Sequence, residues 1–260
     1  MSWDERQRAM LAEMGLRLPV RAAEAVERVD EPEVALVERL AAPAPAPAPV
    51  ISRPPPPVAA PARIATAVPA TFAGLDAPAL RDAVATCRAC SLCEQRRNAV
   101  YGNGAVQRAE WLVITDPPDD GDDASGQALS GDAGRLLDRM LLAAGQTRLG
   151  ESPTAFVTPL IKCRPPRGRA PLPAELDACE AVLARQIELL QPRLVLALGL
   201  QAARRLTGLG EPLGRLRGRV HAWRDLPVVV SYHPAYLLRS PADKAGAWDD
   251  LCLARATLTT

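Results

Sequence analysis

The chain has 260 residues, with 31 Lys and Arg against 30 Asp and Glu, so its formal net charge is only +1. A near-neutral chain has no overall field that attracts nucleic acid, and any such contact must come from local basic patches. The amino-terminal residues carry charges throughout, and no uninterrupted run of about 18 apolar residues occurs. We therefore expect a cytoplasmic protein, whose six cysteines are reduced thiols or metal ligands rather than a disulfide framework.

Residues 2–15 are predicted to form a short amphipathic helix, with a capping box at Ser2 and Glu5 and a C-cap at Gly15. A helix of this length is marginally stable in isolation. Its apolar stripe therefore predicts that the helix either binds a partner or folds back and packs against the globular domain. The candidate partner-binding residues on the stripe are Trp3, Met10, Leu11 and Met14.

Residues 41–69 are dominated by proline and alanine, which exclude regular helix and sheet and favour an extended polyproline conformation. At about 3.1 Å per residue, such a segment spans on the order of 90 Å. We therefore predict three parts: a partner-binding helix over 1–18, a disordered, proline-rich flexible linker over 19–72, and a globular domain over 73–260.

The globular part alternates between helical and strand patterns. This alternation predicts an α/β fold of three layers, α/β/α, with a short central parallel sheet and functional loops at the carboxyl ends of the strands. Helices are predicted over 77–90, 133–144, 173–190, 201–206 and 245–256, and strands over 109–115, 155–161, 194–198 and 228–232.

The cysteines show a metal-binding pattern. Cys87, Cys90 and Cys93 lie in the segment CRACSLC, Cys163 follows a predicted strand, and Cys179 lies on the next predicted helix. A CxxC pair and a distant pair can close on one metal centre, and four thiolates suit either zinc or an iron-sulfur cluster. The sixth cysteine, in WDDLCLA, is expected to be a core residue of the last helix.

Several segments together resemble the iron-sulfur uracil-DNA glycosylases of family 4, across residues 87 to 258. They are CRACSLCEQRRNAVYGNG, SGDAGRLLDRMLLAAG, VTPLIKCRPPRGRAPLPAELDAC, QIELLQPRLVLALG and HPAYLLR. The resemblance implies a uracil-DNA glycosylase-like fold and a structural 4Fe-4S cluster. The implied cluster ligands are Cys87, Cys90, Cys163 and Cys179. Cys93 is then surplus to the four ligands.

The loop after the first predicted strand departs from the family pattern. Where family members have Gly-Glu-Ala-Pro-Gly, this chain has Thr115, Asp116, Pro117, Pro118 and Asp119. Pro117 removes a backbone donor, and Asp119 adds negative charge where an anionic leaving group would develop. Asp116 is the carboxylate that could act here if the chain is an active enzyme.

Two further family positions differ. The family's Pro-Phe-Val-Gly, which supplies a ring that stacks on uracil, corresponds to residues 128–131, ALSG. The family's Thr-Asn pair, whose amide reads the uracil edge, corresponds to Thr158 and Pro159, and proline offers no side-chain hydrogen bond. We therefore expect an inactive site on an intact fold. The alternative is that Asp116 replaces the family's glutamate in an active uracil-DNA glycosylase of base-excision repair.

The candidate DNA-binding residues are His233, Tyr236 and Arg239 in HPAYLLR, together with Arg164. In the family this segment enters the DNA groove, and arginines position phosphates without reading sequence. The alternatives are that the His-Pro turn holds the fold and that the arginines are solvated surface.

The amino-terminal peptide, with Trp3 followed by MLAEMGL, resembles the start of the psi subunit of bacterial DNA polymerase III. This resemblance implies a non-catalytic replication accessory subunit. Its amino-terminal helix would bind the clamp-loader ATPase, and its globular domain would bind a chi-like subunit that contacts single-stranded-DNA-binding protein. A cluster-bearing DNA-binding protein is a third alternative.

Overall fold

The computed structural model describes residues 72–259. The predicted amino-terminal helix, with its partner-binding residues, and the linker up to residue 71 lie outside this range. Phe72, the last residue of the predicted linker, is buried in the core of the domain. Across the described range, no helix is both long and apolar enough to cross a bilayer.

The centre of the domain is a six-stranded sheet with the order β1-β3-β2-β4-β6-β5. Strands β2, β3, β4 and β6 are parallel, and the edge strands β1 and β5 pair antiparallel with β3 and β6. The strands are β1 (Asn103–Gly104), β2 (Trp111–Thr115), β3 (Ala155–Pro159), β4 (Leu194–Leu198), β5 (Val220–Trp223) and β6 (Leu226–Ser231).

Helices cover both faces of the sheet. One face packs against α1, α4 and α5, and α8 packs on β4 and β6. The helices are α1 (Ala77–Ala85), α2 (Asp120–Ser125), α3 (Gly131–Ala143), α4 (Pro173–Leu190), α5 (Leu200–Thr207), α6 (Leu213–Leu216), α7 (Pro234–Arg239) and α8 (Lys244–Thr259). The three-layer α/β/α prediction is confirmed.

Burial on both faces explains why β2, β3 and β4 are continuous apolar runs, in which every residue is buried. The two antiparallel edge strands were not predicted. β5 alternates between exposed and half-buried residues, and its turn into β6 uses Arg224 and Asp225, both with positive φ. A turn of this kind normally carries Asn or Gly, so the usual hairpin signal is missing.

Two predicted elements extended more than one residue beyond their observed carboxyl ends. α1 ends at Ala85 rather than Cys90, because Thr86 leaves the helical conformation as its C-cap. β3 ends at Pro159 rather than Ile161. The chain bends there, and the next backbone N–H, that of Leu160, bonds to the Thr115 carbonyl of β2 at 2.9 Å.

The strand register brings four loops to one edge of the sheet. Thr115 lies opposite both Pro159 and Leu198, and Leu198 lies opposite Ser231. The residues that follow these strand ends therefore meet along a single line. We call this line, formed by residues 116–119, 160–165, 199 and 232–233, the carboxyl edge.

Candidate active site and thiol cavity

Asp116 is the first residue after β2, and its carboxylate caps the start of α5. Its Oδ1 accepts a hydrogen bond from the Ala202 N–H at 2.9 Å. Burial raises the pKa of Asp116, and the hydrogen bonds from α5 oppose that rise. Gly199 makes room for the carboxylate, because its φ is +104° and a Cβ there would collide with Asp116.

His233 follows β6 and caps the start of α7. Its Nδ1 accepts a hydrogen bond from the Ala235 N–H at 3.3 Å. Burial lowers the pKa of His233, although attraction to Asp116 opposes the fall. The ring is therefore neutral, and because Nδ1 accepts, its proton lies on Nε2. The carboxyl edge thus combines a half-buried carboxylate with a neutral imidazole donor.

Arg217 supports the loop that carries His233. Its guanidinium lies over the ring of Tyr232, 3.9 Å from the centroid. Its Nε donates to Oδ2 of the buried Asp250 at 2.7 Å. Arg217 therefore ties the residue before His233 to α8.

By the resemblance, residues 128 and 129 correspond to the family's stacking phenylalanine. Ala128 and Leu129 are buried, and their carbonyls accept hydrogen bonds from Arg148 at 2.6 and 3.2 Å. Arg148 is itself buried and pairs with Asp138 at 2.6 Å. An aliphatic segment, fixed by a buried arginine that the sequence analysis missed, therefore takes the place of the ring.

Pro159 joins a buried polar network. Its carbonyl accepts from Lys162 Nζ at 2.9 Å, and Lys162 Nζ also donates to Thr158 Oγ1 at 2.5 Å. The Tyr101 carbonyl accepts from Thr158 at 2.8 Å and from Gln186 at 2.9 Å. Burial lowers the pKa of Lys162 to about 7. A lysine at the end of an apolar strand was a usable signal for this network, but Lys162 was not predicted as a site residue.

The predicted DNA-binding residues occupy two places. Tyr236 and Arg239 are exposed on α7, beside the exposed Leu238. Tyr236 stacks on Tyr232 with 5.2 Å between centroids. Arg164 lies apart on the loop after β3, where it pairs with Asp120 at 2.8 Å.

Five cysteines line one cavity beneath the carboxyl edge, which we call the thiol cavity. Arg96 and Lys162 contribute to its wall. Its cysteines are Cys87, Cys90, Cys93, Cys163 and Cys179. The fold therefore brings the four predicted ligands together, with Cys93 beside them.

Hydrogen bonds reach three of the four predicted ligands on sulfur. Arg96 Nη1 donates to Cys163 Sγ at 3.1 Å, and the Lys162 N–H donates to Cys179 Sγ at 3.4 Å. Cys87 Sγ accepts from the Ala89 N–H at 3.5 Å. Among residues 72–259, no donor to Cys93 Sγ is present. Donors of this kind stabilise thiolates that ligate a metal centre.

The donor set of the thiol cavity consists of five thiols, without an imidazole or a carboxylate. Thiolates are the ligands that iron-sulfur clusters use, and zinc accepts them as well. Within the described part of the chain, no group of three Cys, His, Asp or Glu side chains is placed to hold a metal ion. Burial raises the pKa of Cys179 to about 12.

The sixth cysteine, Cys252, is not a core residue. It is exposed on α8, because the buried face of that helix is formed by its neighbours Asp250, Leu251 and Ala254. The expectation that Cys252 packs in the core was wrong.

A family model described as the uracil DNA glycosylase superfamily matches residues 101–252. The chain belongs to the uracil-DNA glycosylase superfamily. It is 34% identical over 187 residues to the type-4 uracil-DNA glycosylase of Pyrobaculum aerophilum, a match that covers 69% of this chain and 93% of that protein. The corresponding enzyme of Saccharolobus solfataricus is 34% identical over 171 residues, 62% of this chain and 77% of the relative. The enzyme of Archaeoglobus fulgidus is 32% identical over 166 residues, a match that covers 61% of this chain and 81% of that protein.

These relatives overturn the accessory-subunit hypothesis. Superfamily members named as type-4 uracil-DNA glycosylases match nearly the whole globular domain, and no comparison supports a role with DNA polymerase III. The hypothesis rested on family side chains that are absent from three motifs, whereas Asp116 and His233 are present at the carboxyl edge. The partner-binding prediction for Trp3, Met10, Leu11 and Met14 lies outside the described residues and stays a prediction.

Proposed function

We propose that this protein is a uracil-DNA glycosylase of base-excision repair, with Asp116 and His233 as its catalytic residues. The observation that carries the proposal is the carboxyl edge itself. There, α5 holds a half-buried carboxylate in electrostatic contact with an imidazole whose pKa burial lowers. Pairs of titratable groups with shifted pKa values in this arrangement are typical of acid-base sites.

The reaction is hydrolysis of the bond between C1′ of the sugar and N1 of uracil. As that bond breaks, its electron pair leaves with the base as an anion, and positive charge develops on the sugar. Asp116 stabilises this charge and accepts the proton of the water whose oxygen bonds to C1′. The Nε2–H of His233 donates to the developing anion on the base, and solvent protonates the released uracil.

Base recognition differs from catalysis in this chain. Pro159 provides no amide to read the uracil edge, and Ala128 and Leu129 provide no ring for stacking. Flipping a nucleotide costs a few kcal/mol, which contacts in the pocket must offset. We therefore expect weak binding of the flipped base, with the chemical step still carried by Asp116 and His233.

DNA contact is assigned to α7 and to Arg164. Tyr236, Leu238 and Arg239 project from the short helix that His233 caps, so they approach DNA where the base leaves the helix. An exposed leucine there suits a wedge between base steps, and Arg239 suits a phosphate. Arg164 reaches DNA after exchanging its partner Asp120 for a phosphate.

The thiol cavity is proposed to hold a 4Fe-4S cluster on Cys87, Cys90, Cys163 and Cys179. Bound there, the cluster supplies a covalent link between the segment that enters the domain and the loop after β3. The hydrogen bonds from Arg96 and from the Lys162 N–H then stabilise the bound thiolates. A cytoplasmic location remains the prediction drawn from the sequence.

The test is uracil release from single- and double-stranded oligonucleotides that contain one deoxyuridine, with thymine oligonucleotides as the substrate control. The wild-type protein should release uracil from at least one of the two deoxyuridine oligonucleotides. His233→Ala should lower the rate by about 100-fold, the size of effect typical of losing one donor to a developing oxyanion. Asp132→Asn, on the exposed face of α3, should leave the rate unchanged.

Circular dichroism of each variant separates loss of chemistry from loss of fold. A wild-type protein that is folded and iron-loaded but releases no uracil overturns the proposal. So does a folded His233→Ala protein with the wild-type rate.

A further inference from the structure

The thiol cavity contains one more cysteine than a four-ligand cluster needs. The segment 87–93 has the spacing Cys-x-x-Cys-x-x-Cys, so Cys90 belongs to two overlapping CxxC pairs. Cys93 is half-buried, as Cys87 and Cys90 are. A thiol that lines the cavity in this way is positioned to take part in its chemistry.

Local backbone geometry places Cys93 next to Cys90. Residues 91–94 form a single 3₁₀ turn for which Cys90 is the N-cap. The Cys93 N–H donates to the Cys90 carbonyl at 3.3 Å. A 3₁₀ turn repeats every three residues, so side chains three positions apart lie on the same side. Both thiols therefore face the cavity from one turn.

The other ligands have no such neighbour. Cys163 is fixed just beyond the end of β3, and Cys179 is fixed within α4. Both are buried, and in the described residues the remaining cysteine, Cys252, is exposed on α8. A replacement thiol is thus available for Cys90, on the irregular segment between α1 and β1, but not for Cys163.

The proposed function ranks the two thiols of the turn. It assigns Cys90, and not Cys93, as a resident ligand, and no hydrogen bond to Cys93 Sγ is found between residues 72 and 259. Cys93 is therefore the thiol of the cavity that a four-ligand cluster leaves unused.

We propose that Cys93 is a reserve cluster ligand, which takes the place of Cys90 when Cys90 is not available. This inference rests on the cluster part of the proposed function and goes beyond it. In the exchange, the Cys90 sulfur would be released and take up a proton, and the Cys93 thiol would lose its proton and become the fourth ligand. No oxidant or reductant is needed.

The experiment compares Cys90→Ala, Cys93→Ala and the double variant with Cys163→Ala and Cys252→Ala in full-length protein purified without oxygen. Iron and acid-labile sulfide per chain, with visible absorbance, report cluster content, and circular dichroism reports folding. Cys90→Ala should keep about half or more of the wild-type iron. The double variant and Cys163→Ala should each keep less than about a tenth of it, as expected when a fourth thiolate is missing. Cys93→Ala and Cys252→Ala should match wild type.

Alkylation of the loaded wild-type protein, read by mass spectrometry, supplies a second measurement that does not depend on any variant folding. Cys93 and Cys252 should be modified, and the other four cysteines protected. Protection of Cys93, or loss of the cluster in Cys93→Ala alone, would make Cys93 a resident ligand and overturn the proposal.

The reserve role alone is contradicted if the wild-type protein binds iron and Cys90→Ala is as depleted of iron as the double variant. A wild-type protein without iron defeats the cluster assignment and this inference with it. The uracil-release assay still reports on the glycosylase assignment independently.

Discussion

The thiol cavity and the carboxyl edge share the loop after β3, where Lys162 and Cys163 belong to both, and they differ in which expected parts they contain. Around the cavity, all four predicted ligands converge, and Cys87, Cys163 and Cys179 each accept a hydrogen bond on sulfur. At the edge, Asp116 and His233 are in place, but Pro159 and Leu129 stand where the resemblance implies base-reading and stacking side chains. On the proposed function, the difference separates the side chains that hold the fold and perform the chemistry from those that select the base.

Lys162 connects the two regions. Its backbone N–H donates to Cys179 Sγ in the cavity, and its side chain donates to the Pro159 carbonyl at the edge. One residue therefore bonds both to a thiol of the cavity and to the end of β3.

The largest effect is expected at the support of the His233 loop. Arg217→Ala removes the partner of the buried Asp250 and the cation above Tyr232. Breaking a buried pair from one side typically costs about 3–5 kcal/mol, because the remaining charge stays buried. Urea denaturation should show this loss of unfolding free energy.

Arg135→Ala is the matched control for Arg217→Ala. Its pair with Asp132 is exposed on both sides, so it should cost less than about 1 kcal/mol. Equal destabilisation by the two variants would contradict the account of Arg217.

The next effect concerns the buried network behind Pro159. Thr158→Val keeps the shape of the side chain but removes the hydroxyl that bonds to Lys162 Nζ and to the Tyr101 carbonyl. Unsatisfied buried groups should cost about 1–3 kcal/mol of unfolding free energy. Thr259→Val, with an exposed hydroxyl on α8, is the control and should change little. A neutral Thr158→Val would mean that the network does not stabilise the loop between the two regions.

Restoring a base-reading side chain at position 159 should strengthen the recognition of uracil. Pro159→Asn supplies an amide at the end of β3, and one good pair of hydrogen bonds to a base is worth about 1–3 kcal/mol. We expect kcat/KM for uracil to rise by about tenfold, through KM, with no gain on thymine oligonucleotides. An unchanged or lower kcat/KM in folded protein would show that position 159 does not face the base.

The smallest effect is a pH dependence. The folded pKa of His233 lies below its ordinary value of 6.5, so between those two values the unfolded chain binds more protons than the folded one. The contribution of His233 to stability is therefore complete above pH 6.5 and is lost as the pH falls through the folded pKa. The raised pKa of Asp116 acts in the opposite direction.

The comparison of wild type with His233→Ala isolates this contribution. The difference in their unfolding free energies should shrink by less than about 1.4 kcal/mol per pH unit below pH 6.5. A difference that grows on acidification would contradict a neutral, buried ring.

Much of the scaffold could be predicted from the sequence. The bounds of α4 and β4 follow from Pro173 at a helix start and from the apolar run 194–198, both local signals. The edge strand β5 could not be predicted, because Arg224 and Asp225 form its turn without a glycine. The four cluster ligands could be named because a resemblance supplied their pairing, which spacing alone does not.

The interactions within the site depend on long-range contacts. Gly199 lies 83 residues after Asp116 in sequence, and its need to be glycine arises only when α5 meets the carboxylate. The Lys162 network likewise joins Tyr101 to residues of β3 and α4. Side chains lost from a family motif were visible in the sequence, whereas the partners that retain the chemistry appear only once the strands are aligned.

The most direct test of the central claim is single-turnover uracil release by Asp116→Asn protein whose iron content is matched to wild type. The account predicts a folded, fully loaded protein whose rate has fallen by about 100-fold or more, as for loss of a catalytic carboxylate. Wild-type release by that protein would contradict the assignment of the chemistry to the carboxyl edge.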